Sequence, residues 1–376
     1  MAASGATEPR VLFVAAMAGL GGPVKRLTTL LANIHGVQRV LIKPRSELLD
    51  GRLDELNAVD EYIALKRSVQ RSYVGAVVLM ITVFVRAASR RRPIDVIHAN
   101  GIVEFALCWP AALLLRKPVL TWVGNYECPS LVRRFAPLFR TVARRTGWNA
   151  VSSTAADVIA ECGLADRLRI EVVTNIVDPL DVASTKVGGG GRARRVTVGY
   201  LQVARWVKGF DLLPGVIEEL SDIHDRVQFL IIGKRDDGVS WNELAALPSE
   251  VVQVRPRTAN VGDIYAACDI VFSPSRRESF NRVVAEALTT GTPVVASDLR
   301  AVREVVGDAG LLFPSGDVVA AAAAIRRLVS DPELRATLGK AGLVRSKAWL
   351  PAPVAERFLA QYRHFGRIDL NPTLDA

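Results

Sequence analysis

Two carboxylates with seven residues between them, Glu278 and Glu286, carry the first chemical signal in this chain of 376 residues. They sit in the stretch Ser273 to Asp298, SPSRRESFNRVVAEALTTGTPVVASD. An apolar run, Asp269 to Phe272, precedes it and reads as a buried strand. Ser273, Pro274 and Ser275 break that strand. From Arg282 the spacing predicts a helix, with Val283, Val284, Ala287 and Leu288 on one face. Gly291 suits the position just past the helix, and Pro293 forbids its continuation. Glu278 therefore stands in a loop past a strand end and Glu286 inside the following helix. In open parallel sheets, ligands sit outside the carboxyl ends of strands. A helix N-terminus there offers unsatisfied N–H groups and the positive end of a dipole, which suits phosphate. Two carboxylates so placed can flank one polar ligand from loop and helix.

A second cluster is cationic. Arg205 and Lys208 lie in Arg205-Trp-Val-Lys208-Gly209-Phe-Asp211-Leu-Leu, shortly after a predicted strand from Arg195 to Leu201. Near the N-terminus, the apolar run Val11 to Val14 reads as a central parallel strand. Gly19, Gly21 and Gly22 follow it, then a helical segment from Lys25 to Asn33. Strand, glycine loop and helix let a backbone approach a phosphate, but the glycines do not match G-x-G-x-x-G.

The pattern S-P-S-x-x-E-S-F-x-x-x-x-x-E-A followed by G-T-P-V-V-A-S resembles the retaining GT-B glycosyltransferases of family 4. That resemblance implies two Rossmann-like parallel-sheet domains facing across a cleft, an α/β fold. It implies that Glu278 contacts the donor sugar and that the backbone from Phe280 through Asn281 and Arg282 to Val283 approaches sugar and phosphate. It assigns Glu286 to ribose, and Lys208 and Arg205 to the diphosphate. Gly21 and Gly22 resemble the loop that faces the donor diphosphate in such enzymes. Asn281 stands where the family often has glycine, and Arg205 lies three residues before Lys208 where the family often has five. Asp95-Val-Ile-His98-Ala-Asn100 resembles the family's D-V-I-H-x-H segment, making His98 a possible acceptor-side residue or a structural one. Asn125 falls near where many relatives carry a histidine and is the second acceptor-side candidate. The resemblance implies no metal and no cofactor, the donor being a UDP- or GDP-sugar. The implied reaction is transfer of a sugar, with retention, to a saccharide or lipid-linked acceptor. A non-catalytic sugar-nucleotide-binding partner in a glycan assembly complex, or a GT-B phosphorylase or epimerase, are the alternatives.

The elements that must position these residues fall into domains 1–183 and 196–348, with a glycine- and charge-rich linker at 184–195 and a helix from 349 to 376 crossing back to the first domain. Half of the residues are hydrophobic, which excludes a disordered chain. The formal net charge is +10 and the isoelectric point about 9.7, which suits an anionic partner. Nucleic acid has only that charge in its favour, since no aromatic platform or known module accompanies it. Cys108, Cys128, Cys162 and Cys268 show no metal-ligand spacing and make no disulfide framework, so a reducing, cytoplasmic setting fits. The N-terminus lacks a signal-peptide core. Arg67 to Arg92 has a nearly wholly apolar middle, Tyr73 to Val85, between arginines. Its 13 residues fall short of the roughly 20 that span a bilayer. It reads as a core helix, or as one lying on an anionic membrane surface. Ile102 to Leu115 reads as a buried helix. Arg133 to Arg145 reads as a basic amphipathic helix, solvated or facing anionic lipid or an acceptor phosphate.

Overall fold

The computed structural model describes residues 8–16, 22–45, 47–65, 73–179, 195–232, 241, 244, 246–255 and 261–366. The chain divides into two compact units: one runs to Ile176 and resumes at Pro351, the other runs from Val177 to Leu350. The glycine-rich stretch read as a linker lies outside the described residues, except Arg195.

The first unit is a seven-stranded sheet, ordered β3-β2-β1-β4-β5-β6-β7. Its strands are β1 (Arg10–Val14), β2 (Gln38–Pro44), β3 (Glu61–Leu65), β4 (Val96–Ala99), β5 (Val119–Thr121), β6 (Thr146–Ala150) and β7 (Ile170–Val172). All neighbours are parallel. Val11 to Val14 are fully buried, as a central strand covered on both faces must be. From β1 the chain steps one way to β2 and β3, then returns past β1 and steps the other way from β4 to β7. Right-handed crossovers therefore divide the helices between the two faces. Helices α1 (Gly22–Asn33) and α2 (Glu47–Glu55) belong to one face; α3 (Tyr73–Ala88), α4 (Ile102–Leu114) and the segments between β5 and β7 belong to the other. Helix α3 packs along α4, and the last helix of the chain, Pro351–Gly366, packs on α1.

Three expectations change here. Helix α3 is not a core helix throughout: Gly75, Leu79, Val83, Arg86 and Ala87 are buried, while Val74, Val77, Ile81 and Val85 are exposed. Among the described residues of the first unit, nothing covers that outer face. The segment read as one basic helix is broken into α5 (Ser130–Arg134), α6 (Ala136–Phe139) and a 3-10 turn at Arg140–Arg145. Pro137, in the first turn of α6, has no N–H to continue a preceding helix. Finally, Cys128 and Cys162 form a disulfide, with Cα atoms 5.7 Å apart. This runs against the reducing setting that the sparse, widely spaced cysteines suggested; Cys108 and Cys268 are buried thiols outside any disulfide.

The second unit is a six-stranded parallel sheet, ordered β10-β9-β8-β11-β12-β13. Its strands are β8 (Val196–Tyr200), β9 (Val227–Ile232), β10 (Val252–Arg255), β11 (Ile270–Ser273), β12 (Val294–Ser297) and β13 (Gly310–Phe313). Phe210, Phe229, Phe272, Trp241 and Ile325 anchor its core. Each fully buried side chain of this size contributes about 1.5–3 kcal/mol. Gly199, on β8, lies so close to Cys268 that a Cβ would meet its sulfur at 2.3 Å, so the strand and the segment before β11 require glycine there to approach. Among the described residues, no helix is long and apolar enough to cross a membrane.

Candidate functional site

The strand order of the second unit reverses at β8 and β11, so the crevice beyond their carboxyl ends is the expected ligand position. The polar residues singled out in the sequence collect there. Past β8 the chain makes a 3-10 turn, Trp206–Lys208, then passes Gly209 at φ 68°. A Cβ on Gly209 would stand 2.0 Å from the carbonyl oxygen of Pro274, so only glycine lets this turn lie against the loop after β11. That approach delivers Lys208 to Glu278, whose Oε1 accepts from Lys208 Nζ at 2.7 Å. Ser275 Oγ stands 2.9 Å from the same oxygen.

Beneath this pair runs a buried polar chain. Ser275 Oγ donates to Gln202 Oε1 at 2.9 Å, and the Gln202 amide donates to Ser273 Oγ. Ser273 Oγ also accepts from Asn281 Nδ2 at 2.7 Å. Gln202, Ser273, Ser275 and Asn281 are all at least 96% buried, so these bonds are made in low dielectric and hold the loop rigid. Asn281 resolves the departure from glycine. It adopts φ 66°, a left-handed conformation that asparagine tolerates better than most side chains, and its Oδ1 accepts from Val284 N to cap the helix Arg282–Thr289. One residue thus supplies a glycine-like turn, a helix cap and an anchor to Ser273.

Glu286 lies 6% exposed on that helix. Arg282 Nε donates to its Oε1 at 2.6 Å and Tyr265 Oη to its Oε2 at 2.8 Å. Burial first, then the Glu286 charge, pushes the Tyr265 hydroxyl well above its ordinary value, so it stays protonated and donating. The Phe280 side chain is buried, its ring edge-on to Trp349 at 6.2 Å, leaving only its backbone for a ligand. Val283 is half-buried, and its carbonyl accepts from Tyr265. The Arg205 side chain is exposed and has no described partner; its backbone carbonyl closes the Lys208 turn. The sequence assigned no site role to Gln202, Tyr265, Arg276 or Asp211. Arg276 forks onto Asp211 at 2.6 and 2.7 Å and stacks on Trp206, bracing the outside of the same turn. Only the positions of Gln202 and Arg276 at or just past strand ends could have flagged them.

In the first unit the order reverses at β1 and β4. Gly22 opens α1, and space for a Cβ there is unobstructed; Gly21 lies outside the described residues. His98 does not fit its acceptor-side reading. It is fully buried, Nδ1 lies 2.7 Å from Tyr362 Oη, and Phe13, Trp122 and Phe358 surround the ring. Burial, with a smaller contribution from the Arg26 charge, pushes its pKa down to about 3. The imidazole points into the core because alternate residues of β4 face opposite sides, and this one faces the C-terminal helix. Asn125 is half-exposed just beyond β5. Beside it, Arg26 donates to Asn100 Oδ1 at 3.2 Å, bonds the Trp122 carbonyl and stacks on the Trp122 ring. Glu104 Oε1 accepts from Ala16 N at 3.0 Å, and burial raises its pKa.

Residues 193–331 match the family described as Glycosyl transferases group 1. A phosphatidyl-myo-inositol mannosyltransferase of Propionibacterium freudenreichii is 31% identical over 262 residues, 66% of this chain and 65% of that protein. A D-inositol 3-phosphate glycosyltransferase of Segniliparus rotundus is 27% identical over 252 residues, 63% of this chain and 56% of that protein. The matches thus span less than two thirds of these relatives' own lengths. Among solved structures, Anabaena HepE in complex with UDP and glucose superposes with a TM-score of 0.74 at 18% identity, covering 95% of this chain and 100% of that one. A glycosyltransferase from Rickettsia africae gives 0.77 at 16%, covering 95% and 98%. These likenesses establish the fold as that of the GT-B glycosyltransferases.

Proposed function

We propose that this chain, whose second unit carries a Glycosyl transferases group 1 domain, is a retaining glycosyltransferase that moves a sugar from a nucleoside-diphosphate sugar to a saccharide or lipid-linked acceptor. The observation that carries this reading is the Lys208–Glu278 pair, fixed at the strand-order reversal by Gly209 and by the buried Gln202–Ser273–Ser275 chain. Glu278 accepts hydrogen bonds from sugar hydroxyls. Lys208, with the more exposed Arg205, takes the charge that develops on the diphosphate. Glu286, preset by Arg282 and Tyr265, binds ribose, and the backbone from Phe280 to Val283 lies along sugar and phosphate. The bond from the anomeric carbon to the diphosphate breaks. A bond to an acceptor oxygen forms on the same face, and the acceptor proton passes to the leaving phosphate. Positioning and charge stabilisation lower the barrier, with no metal and no cofactor. The curated relatives are named for inositol-based acceptors, which supports a polyol acceptor, free or lipid-linked.

A thermal-shift series with UDP, GDP, ADP and their sugar conjugates, with and without EDTA, tests the donor site. A ligand bound only by the native state raises stability by RT ln(1 + [L]/Kd), about 2.7 kcal/mol at a hundredfold excess over Kd. The expected result is a selective shift, insensitive to EDTA and lost in Lys208→Ala. No shift with any nucleotide would overturn the transferase reading. In turnover assays with a matched acceptor, Glu278→Gln and Lys208→Ala should each lower kcat by at least about a hundredfold.

A further inference from the structure

The parallel topology of the first unit assembles a basic edge. Strands β4, β5 and β6 all begin on one side of the sheet, and each is entered through cations: Arg90, Arg91 and Arg92 before Val96, Arg116 and Lys117 before Val119, Arg144 and Arg145 before Thr146. All but Lys117 are exposed, and among the described residues Arg92 alone is ion-paired, 3.8 Å from Glu61. This edge is opposite the carboxyl ends of the strands, so it is not the ligand crevice of that sheet.

Helix α3 runs down to the same edge, its C-terminus leading directly into Arg90. Tyr73, Val74, Val77, Val78, Ile81 and Val85 are between 46% and 91% exposed. At 100° per residue these six fall within an arc of about 140°, opposite the buried Leu79 and Val83. Leu114, at the end of the adjoining α4 and two residues before Arg116, is 67% exposed. An isolated exposed apolar residue is ordinary, but a stripe six residues long is not.

We infer that the outer face of α3 and the adjoining basic edge form a docking surface for an anionic lipid bilayer, with the helix lying in the interface rather than crossing it. Its 16 residues span about 24 Å of helix, short of a bilayer span. A polyanion such as nucleic acid would satisfy the arginines and leave the stripe in water. A second copy of this chain would cover the stripe and leave the like-charged edge unneutralised. A bilayer with anionic headgroups supplies an apolar phase and counter-charges side by side. This names the surface at which a lipid-linked acceptor would be met, and for that purpose it rests on the transferase reading. The docking itself needs neither donor nor acceptor.

The test is co-sedimentation of the full chain with vesicles of phosphatidylcholine alone and of phosphatidylcholine containing roughly one third phosphatidylglycerol. Binding is expected to the anionic vesicles, weakening as salt rises. Val77→Glu/Ile81→Glu and Arg144→Glu/Arg145→Glu should each reduce it at least about tenfold. These side chains are exposed, so both variants should keep the wild-type melting curve and any nucleotide-induced shift, which separates failure of this inference from failure of the donor site. Equal binding to both vesicle types, no binding to either, or undiminished binding by the Val77→Glu/Ile81→Glu variant would overturn it. So would a wild-type dimer in solution that Ile81→Glu converts to monomer.

Discussion

Asn281 carries three demands at once: a left-handed backbone, a cap on the helix Arg282–Thr289, and a bond to buried Ser273. Glycine meets the first and forgoes the other two; alanine forgoes all three. A cap replaced by glycine costs a few tenths of a kcal/mol and by alanine about 1, and the left-handed backbone adds roughly 1–2 for alanine. Urea denaturation should therefore rank the wild type and Asn281→Gly within about 1 kcal/mol, with Asn281→Ala about 2–3 lower. Equal losses for the two variants would show that the backbone conformation is not the constraint. His98 makes a separate prediction. Its folded pKa lies near 3, against 6.5 when unfolded, so below pH 6.5 the unfolded chain binds the extra proton. The stability that the neutral imidazole contributes is complete above that value and is lost as pH falls toward 3, by up to about 1.4 kcal/mol per pH unit. His98→Gln should flatten the acid limb of a stability–pH profile; an unchanged limb would mean other groups govern it.

At the scale of elements, two devices fix the loops that the strands leave free. Gly209 brings the Lys208 turn against Pro274, so Gly209→Ala must push the two loops apart. Loss of the nucleotide-induced shift, with a lower melting temperature, is the expected outcome; a variant that keeps both would mean the turn is not held by this contact. The Cys128–Cys162 bond closes a loop across 34 residues and ties the segment after Asn125 to the end of the helix Ser153–Glu161. A bond of this kind contributes about 2–4 kcal/mol, so dithiothreitol or Cys128→Ser should lower the urea midpoint of the first unit accordingly. Strands and the helix after Asn281 were legible in the sequence because apolar runs and helical spacing record burial directly. The disulfide was not, because its cysteines meet only once the helix Ser153–Glu161 has folded back. The break at Phe135 was legible in principle, since Pro137 announces it, but the regular recurrence of arginine and apolar residues masked it. The exposed face of α3 could not be read, because an apolar stripe looks the same whether or not an element covers it. Lys208 and Glu278 were each legible in their own motif, but their contact was not, since only the glycine-permitted approach of two loops joins them.

Across the whole molecule, sequence order and unit membership part company at Pro351. The helix Pro351–Gly366 belongs to the first unit, although the entire second unit separates it from the strands it covers. Phe358 and Tyr362 are fully buried there, Tyr362 bonds His98, and Gln361 exchanges hydrogen bonds with buried Asn149 at 2.6 and 2.7 Å. Phe365 lies against Gly147, where a Cβ would meet its ring at 3.0 Å. Ending the chain after Leu350 would remove two large core aromatics, each worth about 3–5 kcal/mol by truncation alone, and would strand His98 and Asn149 without their partners. A marginally stable domain does not survive losses of that size. The second unit keeps its own sheet and core in such a truncation, together with Lys208, Glu278 and Glu286. Scanning calorimetry of a chain ending at Leu350 should therefore lack the transition of the first unit. The transition that remains should still rise with the nucleotide that stabilises the full chain. Two surviving transitions would show that the first unit folds without its last helix. Loss of the nucleotide effect would show that the donor site needs more than the second unit supplies.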